Sequence, residues 1–182
     1  MPLSLRMQKL NGLNLQVTSS PLVVTTAVAT GLALSVFCVM LDNTIIATAT
    51  PKITDDFKAT GDVGWYGSSY LLTTCAFQLF WGKLYSFSSI KVIYMITFTI
   101  FQLGSLVCGA APSSAVLIAG RSIAGFGAAG ILNGAILIIA SVVPLKKRPL
   151  FLTLFSGIQS IGSVVGPLMG GAFTDHLSWR WW

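Results

Sequence analysis

The chain is 182 residues long, 54% hydrophobic and only 9% charged, with a mean hydropathy of +0.80. A soluble domain carries about 25% charged residues, so composition disfavours both a soluble enzyme and a disordered chain. Eleven Lys and Arg against five acids, all Asp, leave a net charge of +6; these charges are too few and too scattered for a nucleic-acid-binding stripe. The partner that the composition calls for is a lipid bilayer.

Uncharged stretches divide the chain. They cover residues 10–41, 63–82, 92–120, 122–145 and 149–174. Each reaches the roughly 20 residues that a helix needs to cross a hydrocarbon core of about 30 Å. The stretches are continuous rather than alternating, which points to helices instead of barrel strands. Breakers trim them. The first span is expected at 27–49, because Pro51 disfavours helix at Thr50. The second, 63–82, has Trp65, Tyr66 and Trp81 near its ends, as an interfacial aromatic belt would. The turn Gly109-Ala110-Ala111-Pro112-Ser113-Ser114 separates a third span at 92–111 from a fourth at 115–140. Pro144 and the basic run Lys146-Lys147-Arg148 precede a fifth at 150–173. The expected fold class is therefore an all-α membrane protein of five transmembrane helices, with 1–26 as a cytoplasmic N-terminal segment.

Charge sets the orientation. Segments 1–26, 83–91 and 144–149 carry seven positive charges and no acid, whereas the opposite loops carry Asp55, Asp56, Asp62 and Asp175. The positive-inside rule places the N-terminus in the cytoplasm. The polar run Gln8–Gly12 interrupts any compact apolar core near the start, so no secretory leader is expected. Cys38, Cys75 and Cys108 fall inside spans and are expected as small packing residues rather than as a disulfide or metal set. The terminal Trp179-Arg180-Trp181-Trp182 reads as an interfacial anchor, and His176 as a solvated loop residue.

Ionisable groups within spans carry the chemistry, since a charge at the bilayer centre costs about 2.5–3.5 kcal/mol even on insertion scales. Asp42 in span one and Arg121 in span four fall at matching depth. Both must face protein or a wet cavity, and they are expected to pair as a proton-responsive couple. The alternative has Arg121 snorkelling to the headgroups and Asp42 ending a shorter first helix. Gly162, Gly166 and Gly170 recur every four residues as a smooth face on span five, with Gly171 beside it and Pro167 bending the helix. Gly125, Gly127 and Gly130 are packing candidates on span four. They also match the pattern GxGxxG, which is rejected here as a nucleotide motif because no strand precedes it and no acid follows about 20 residues later. Tyr70, Thr74 and Gln78 on span two line a cavity or bond neighbouring helices. No nucleophile–base pair or metal set is visible, so the chain does not read as an enzyme.

Several of these segments together resemble one family. Leu41-Asp42-Asn43-Thr44 through Thr50-Pro51 resembles the first-helix signature of the major facilitator superfamily, in its fourteen-span drug:proton antiporter branch. Arg121-Ser122-Ile123-Ala124-Gly125-Phe126-Gly127 resembles the fourth-helix motif with its arginine, and Gly162 through Gly166-Pro167-Leu168-Met169-Gly170-Gly171 the fifth-helix antiporter motif. The run Asp62–Thr73 is similar to fungal efflux pumps of toxins and other secondary metabolites. The resemblance covers about residues 22–182. It departs from the family at Ser86 and Phe87, where an acid and a base are usual, and at Ala124, where glutamine is frequent.

The resemblance implies a partial major facilitator domain over 27–182. It implies efflux of a small amphipathic organic substrate from the plasma membrane, driven by the proton gradient and without a cofactor. Asp42 and Arg121 would couple protons, and Gly162–Gly171 would form the antiporter bend. Five spans fall short of the two six-helix halves of such transporters, so the chain is expected to be a fragment, a truncated product or an incomplete gene model, inactive alone. An uptake symporter of the same fold and a non-transporting remnant or assembly partner are the competing readings.

Overall fold

A computed structural model describes residues 21–143 and 145–176. Among them the elements are α1 (Pro21–Phe57), a 3₁₀ turn (Thr60–Asp62), α2 (Val63–Phe87), α3 (Ile90–Gly109), α4 (Ser114–Val142), a second 3₁₀ turn (Leu145–Lys147) and α5 (Arg148–His176). The expected anchor at 179–182 and most of segment 1–26 lie outside the described residues. Four helices, α1, α3, α4 and α5, are long and apolar enough to cross a membrane. The second, although 25 residues long, is diluted by Ser68, Ser69, Thr73, Thr74 and Gln78 and falls short on hydropathy. Of these side chains only Thr74 bonds α4, while Thr73 bonds back within α2 and Ser68 and Gln78 are exposed.

The largest departure from expectation is α1. It does not stop before Pro51 but carries the proline inside a helix of 37 residues, about 55 Å long. Proline removes one backbone bond, and threonine hydroxyls bind carbonyls on either side of the break: Thr50 Oγ1 donates to Ile46 O at 2.6 Å and Thr54 Oγ1 to Thr50 O at 2.7 Å. The carbonyl that Pro51 leaves without an amide is Ala47 O, so these bonds brace the backbone beside the break without replacing the missing one. Ala49 and Ile53, both within 1% of complete burial, hold this stretch against α2 and α4. The helix ends where Lys58 turns into the left-handed region at φ 51°, the usual C-terminal stop. Asp175 and His176, expected in a loop, belong to the last turn of α5.

Helix α4 is the most buried of the candidate spans and packs along both α2 and α3, while α1 packs chiefly with α5. Near the start of α1, Leu32, Val36 and Val39 interlock with Phe101, Ile131, Ile139 and Phe155. Toward its end, Ile46, Ala49 and Ile53 pack on Tyr66, Ala111 and Leu117. Large apolar side chains meanwhile point outward along every helix, among them Leu79, Leu103, Leu106, Val164 and Leu168. An apolar exterior on that scale is stable only against hydrocarbon or further protein.

The glycines explain the close approaches. A Cβ at Gly125 would strike Thr73 and the Tyr70 carbonyl of α2. One at Gly127 would strike the Phe101 backbone of α3, and one at Gly130 would meet both Thr97 and Trp81. Through these gaps α2 and α4 are cross-bonded. Thr74 Oγ1 donates to Gly125 O at 3.1 Å, Trp81 Nε1 to Phe126 O at 2.8 Å, Tyr85 Oη to Gly130 O at 3.0 Å, and Asn133 Nδ2 to Gln78 O at 2.7 Å. Tyr66 and Trp81, expected at the lipid interface, are 0% and 3% exposed; only Trp65 faces outward. Of the cysteines, Cys108 packs against Gly120, whereas Cys38 and Cys75 are exposed instead of packed.

Arg148 closes the other end of α4. Its Nε donates to Val143 O at 3.1 Å and its Nη2 to Ala140 O, so a cation occupies the carbonyl end of the helix dipole. Arg148→Ala is expected to cost about 1 kcal/mol, read as a lower unfolding midpoint in detergent, with Arg148→Lys recovering part of it.

Candidate functional site

The site grows from one charge that lipid cannot accept. Arg121 lies seven residues into α4, counted from Ser114, and is only 1% exposed. Small residues on α4 beside it, Gly120, Ala124 and Gly125, let α3 and α2 close over the guanidinium. Its Nη1 donates to Asp42 Oδ2 at 2.7 Å and reaches the Asp42 carbonyl at 3.4 Å. Its Nε donates to Tyr66 O at 3.3 Å. The guanidinium carbon lies 4.3 Å from the centroid of the Tyr70 ring, within cation–π range. One ion pair, two carbonyls and an aromatic face thus replace the water that the cation has lost.

Asp42 is less enclosed, with 24% of its side chain exposed. It stands fifteen residues before the end of α1 because that helix continues past Pro51, so it lies deeper within α1 than a helix ending at residue 49 would place it. The pair is a polar link from α1 to the α2/α4 unit, beside the apolar contacts of Ile46, Ala49 and Ile53. Two donors close by, Arg121 Nη2 and Tyr70 Oη, are buried without a hydrogen-bond partner among the described residues.

Of the other expected site residues, Gly162, Gly166 and Gly170 are brought together on one face of α5 against α1. Cβ atoms there would meet Met40, Thr44 and Thr48 in turn, and Thr44 Oγ1 reaches Gly162 O at 3.4 Å. Gly171 does not share that contact: nothing lies within 4 Å of where its Cβ would be, since it falls on a different side of the helix from Gly170. Pro167 lies inside α5 and is exposed. Among the cavity candidates Tyr70 lies beneath Arg121. Thr74 instead bonds α4, and the Gln78 side chain is exposed. Neither Tyr66, read as an interfacial aromatic, nor Ser114, read as part of a turn, was expected at the site, although Tyr66 and Tyr70, four apart on one helix, are the spacing that presents two aromatics to a single partner.

The Major Facilitator Superfamily model matches residues 32–182. The chain belongs to the major facilitator superfamily. Among superfamily members, the MFS-type efflux pump MFS1 of Trichophyton rubrum is 62% identical over 154 residues, which is 85% of this chain and 29% of that protein. Efflux pump aflT of Aspergillus parasiticus is 57% identical over 150 residues, 82% of this chain and 29% of that one. The chain therefore spans under a third of the length of these relatives. A solved bacterial homolog of the human lysosomal transporter Spinster, inward-facing and occupied, superposes with a TM-score of 0.75 at 23% identity, over 83% of this chain and 33% of its own. That likeness is one of fold, and it agrees with a superfamily helix bundle embedded in the membrane.

Proposed function

We propose that the chain is the coupling portion of a proton-driven exporter of small amphipathic organic compounds, such as a drug, toxin or other secondary metabolite, in the plasma membrane. The N-terminus lies in the cytoplasm, as the seven positive charges on alternate segments favour. The observation that carries the reading is the Asp42–Arg121 ion pair at 2.7 Å inside an apolar bundle. Identity of 57–62% to proteins described as efflux pumps supports the direction of transport.

The coupling follows from charge accounting. With Asp42 ionised, the pair is neutral as a unit and ties α1 to α4. A proton arriving on Asp42 Oδ2 cancels the attraction and leaves Arg121 held by the Tyr66 carbonyl and the Tyr70 ring. Helix α1 is then free to shift, taking α5 with it through the glycine contact. Arg121 Nη2 and Tyr70 Oη can then donate to a carbonyl or ether oxygen of a substrate as the helices part. When Arg121 returns to Asp42, the proton is released.

The test is accumulation of rhodamine 6G, a fluorescent amphipathic dye, in cells expressing the intact transporter that carries this segment. Expression is expected to lower accumulation several-fold, and an uncoupler should restore it. Asp42→Asn should behave like the uncoupled wild type. Dye accumulation that rises on expression would point to uptake, and export indifferent to the uncoupler would remove the proton from the account.

A further inference from the structure

A second polar chain runs from the edge of the bundle to the ion pair. Ser114, the first residue of α4 and 9% exposed, donates from Oγ to Asp62 Oδ2 at 2.6 Å. Tyr66 Oη, on a side chain with no exposed surface, lies 2.9 Å from the same Ser114 Oγ. A serine hydroxyl has one proton to give. With that proton committed to the Asp62 carboxylate, Tyr66 becomes the donor to Ser114, so the carboxylate sets the direction of the whole chain. At its other end Tyr66 offers its carbonyl to Arg121 Nε at 3.3 Å. Ser114 and Arg121 are seven residues apart on α4, on one face and about 10 Å apart along the axis. Tyr66 spans that interval, its hydroxyl holding one residue and its carbonyl the other.

The consequence is a register. Tyr70, one turn beyond Tyr66, brings its ring under the guanidinium, so the height of Arg121 opposite Asp42 follows the height at which α2 is pinned to α4. The other directional bonds between α2 and α4, from Thr74, Trp81, Tyr85 and Asn133, lie beyond Arg121 toward the far end of α4. At the Ser114 end the surrounding Leu117 and Ala111 offer none, so local register there rests on the polar chain. A buried hydroxyl, by contrast, loses about 1–3 kcal/mol when its partner is displaced. Asp62 makes no capping bond to the amides of α2, which leaves its carboxylate to Ser114. The titratable and charged groups around Arg121 are Asp42 from α1, Tyr66 and Tyr70 from α2, and Cys108 from α3. Helix α5 meets α1 in this region through Gly162 and Gly166.

We propose that Asp62, Ser114 and Tyr66 are positioning residues for Arg121, holding α2 and α4 in the register at which the guanidinium meets Asp42, and that they govern the rate and pH dependence of the proton step while leaving substrate recognition alone. This rests on the reading of Asp42 and Arg121 as the coupling pair.

The experiment uses the intact transporter in lipid vesicles with an imposed pH gradient. It measures equilibrium binding of rhodamine 6G by fluorescence anisotropy and gradient-driven efflux across a pH series. Asp62→Ala, Tyr66→Phe and Ser114→Ala should bind the dye within about twofold of wild type yet export it at least about fivefold more slowly, a barrier change near 1 kcal/mol. A looser Arg121 holds Asp42 in an altered geometry, so the pH profile of efflux should differ from that of wild type. Ser114→Thr, which keeps the hydroxyl, should restore both rate and profile. Wild-type rates and profiles in Asp62→Ala and Tyr66→Phe would overturn the proposal. Equal losses of binding and export would also overturn it, since they mark a general folding role. A wild-type protein whose export ignores the pH gradient would remove the coupling pair and the positioning chain together, which separates the two failures.

Discussion

Arg121→Ala is expected to abolish gradient-driven export and to destabilise the bundle more than any other single substitution on α4. The reason lies in what is left behind. The variant removes four contacts at once, with Asp42 Oδ2, the Asp42 carbonyl, Tyr66 O and the Tyr70 ring, and strands a carboxylate within the spans. Breaking a buried pair from one side costs about 3–5 kcal/mol. Arg121→Lys should keep stability better than function, because an ammonium can meet Asp42 but cannot also fork to Tyr66 and stack on Tyr70. Asp42→Asn preserves shape and strands the guanidinium instead. Combining Asp42→Asn with Arg121→Gln removes both charges, so it should recover much of the stability lost in Arg121→Ala while remaining inactive. Thermal unfolding in detergent together with rhodamine 6G export reads both quantities. A double variant no more stable than Arg121→Ala would contradict the charge argument.

The second large effect is expected at Gly166. Its Cβ position is already occupied by Thr44 of α1, and Gly170 meets Thr48 in the same way one turn on. Gly166→Val must therefore push α5 off α1, at a cost of about 1–3 kcal/mol for overpacking, and should separate the two helices that are expected to move together. Gly166→Ala combined with Thr44→Ala should regain only part of the loss of Gly166→Ala alone, since removing the hydroxyl leaves the Thr44 Cβ, which also stands in the way. Gly171→Ala is the matched control: the space beside it is open, so no loss is expected. Unfolding midpoints and cysteine cross-linking between α1 and α5 measure the outcome. A stable, cross-linkable Gly166→Val would show that the contact is loose.

Much of this was legible in the residues. Arg121 is a cation in the middle of an uncharged run, which lipid tolerates only if the group turns inward to protein or snorkels to the headgroups; Asp42 at matching depth offered it a partner, and the structure shows the pair. The four-residue spacing of Gly162, Gly166 and Gly170 likewise announces a close helix contact. What spacing could not supply was the partner. Gly171 looks equivalent to Gly170 in the sequence, and one step of about 100° around the helix removes it from α1. Trp81 and Tyr66 looked like interfacial aromatics by their position near span ends, yet both turn into the bundle to bond α4. Pro51 looked like a helix end because local preference favours one, and tertiary burial of Ala49 and Ile53 with threonine bonds to the backbone overrode it.

The division has a physical basis. Partition between water and hydrocarbon is close to a sum over residues, so composition and charge spacing by themselves determined that this chain lives in lipid, that it folds as helices, and which charges cannot face outward. Helix rotation and register are not sums of that kind. They depend on which small residue lies opposite which bulky one and on single directional bonds such as Tyr66 to Ser114. Only the tertiary structure therefore decided that α2 supplies the carbonyl and the aromatic face for Arg121, and that α1 packs against α5.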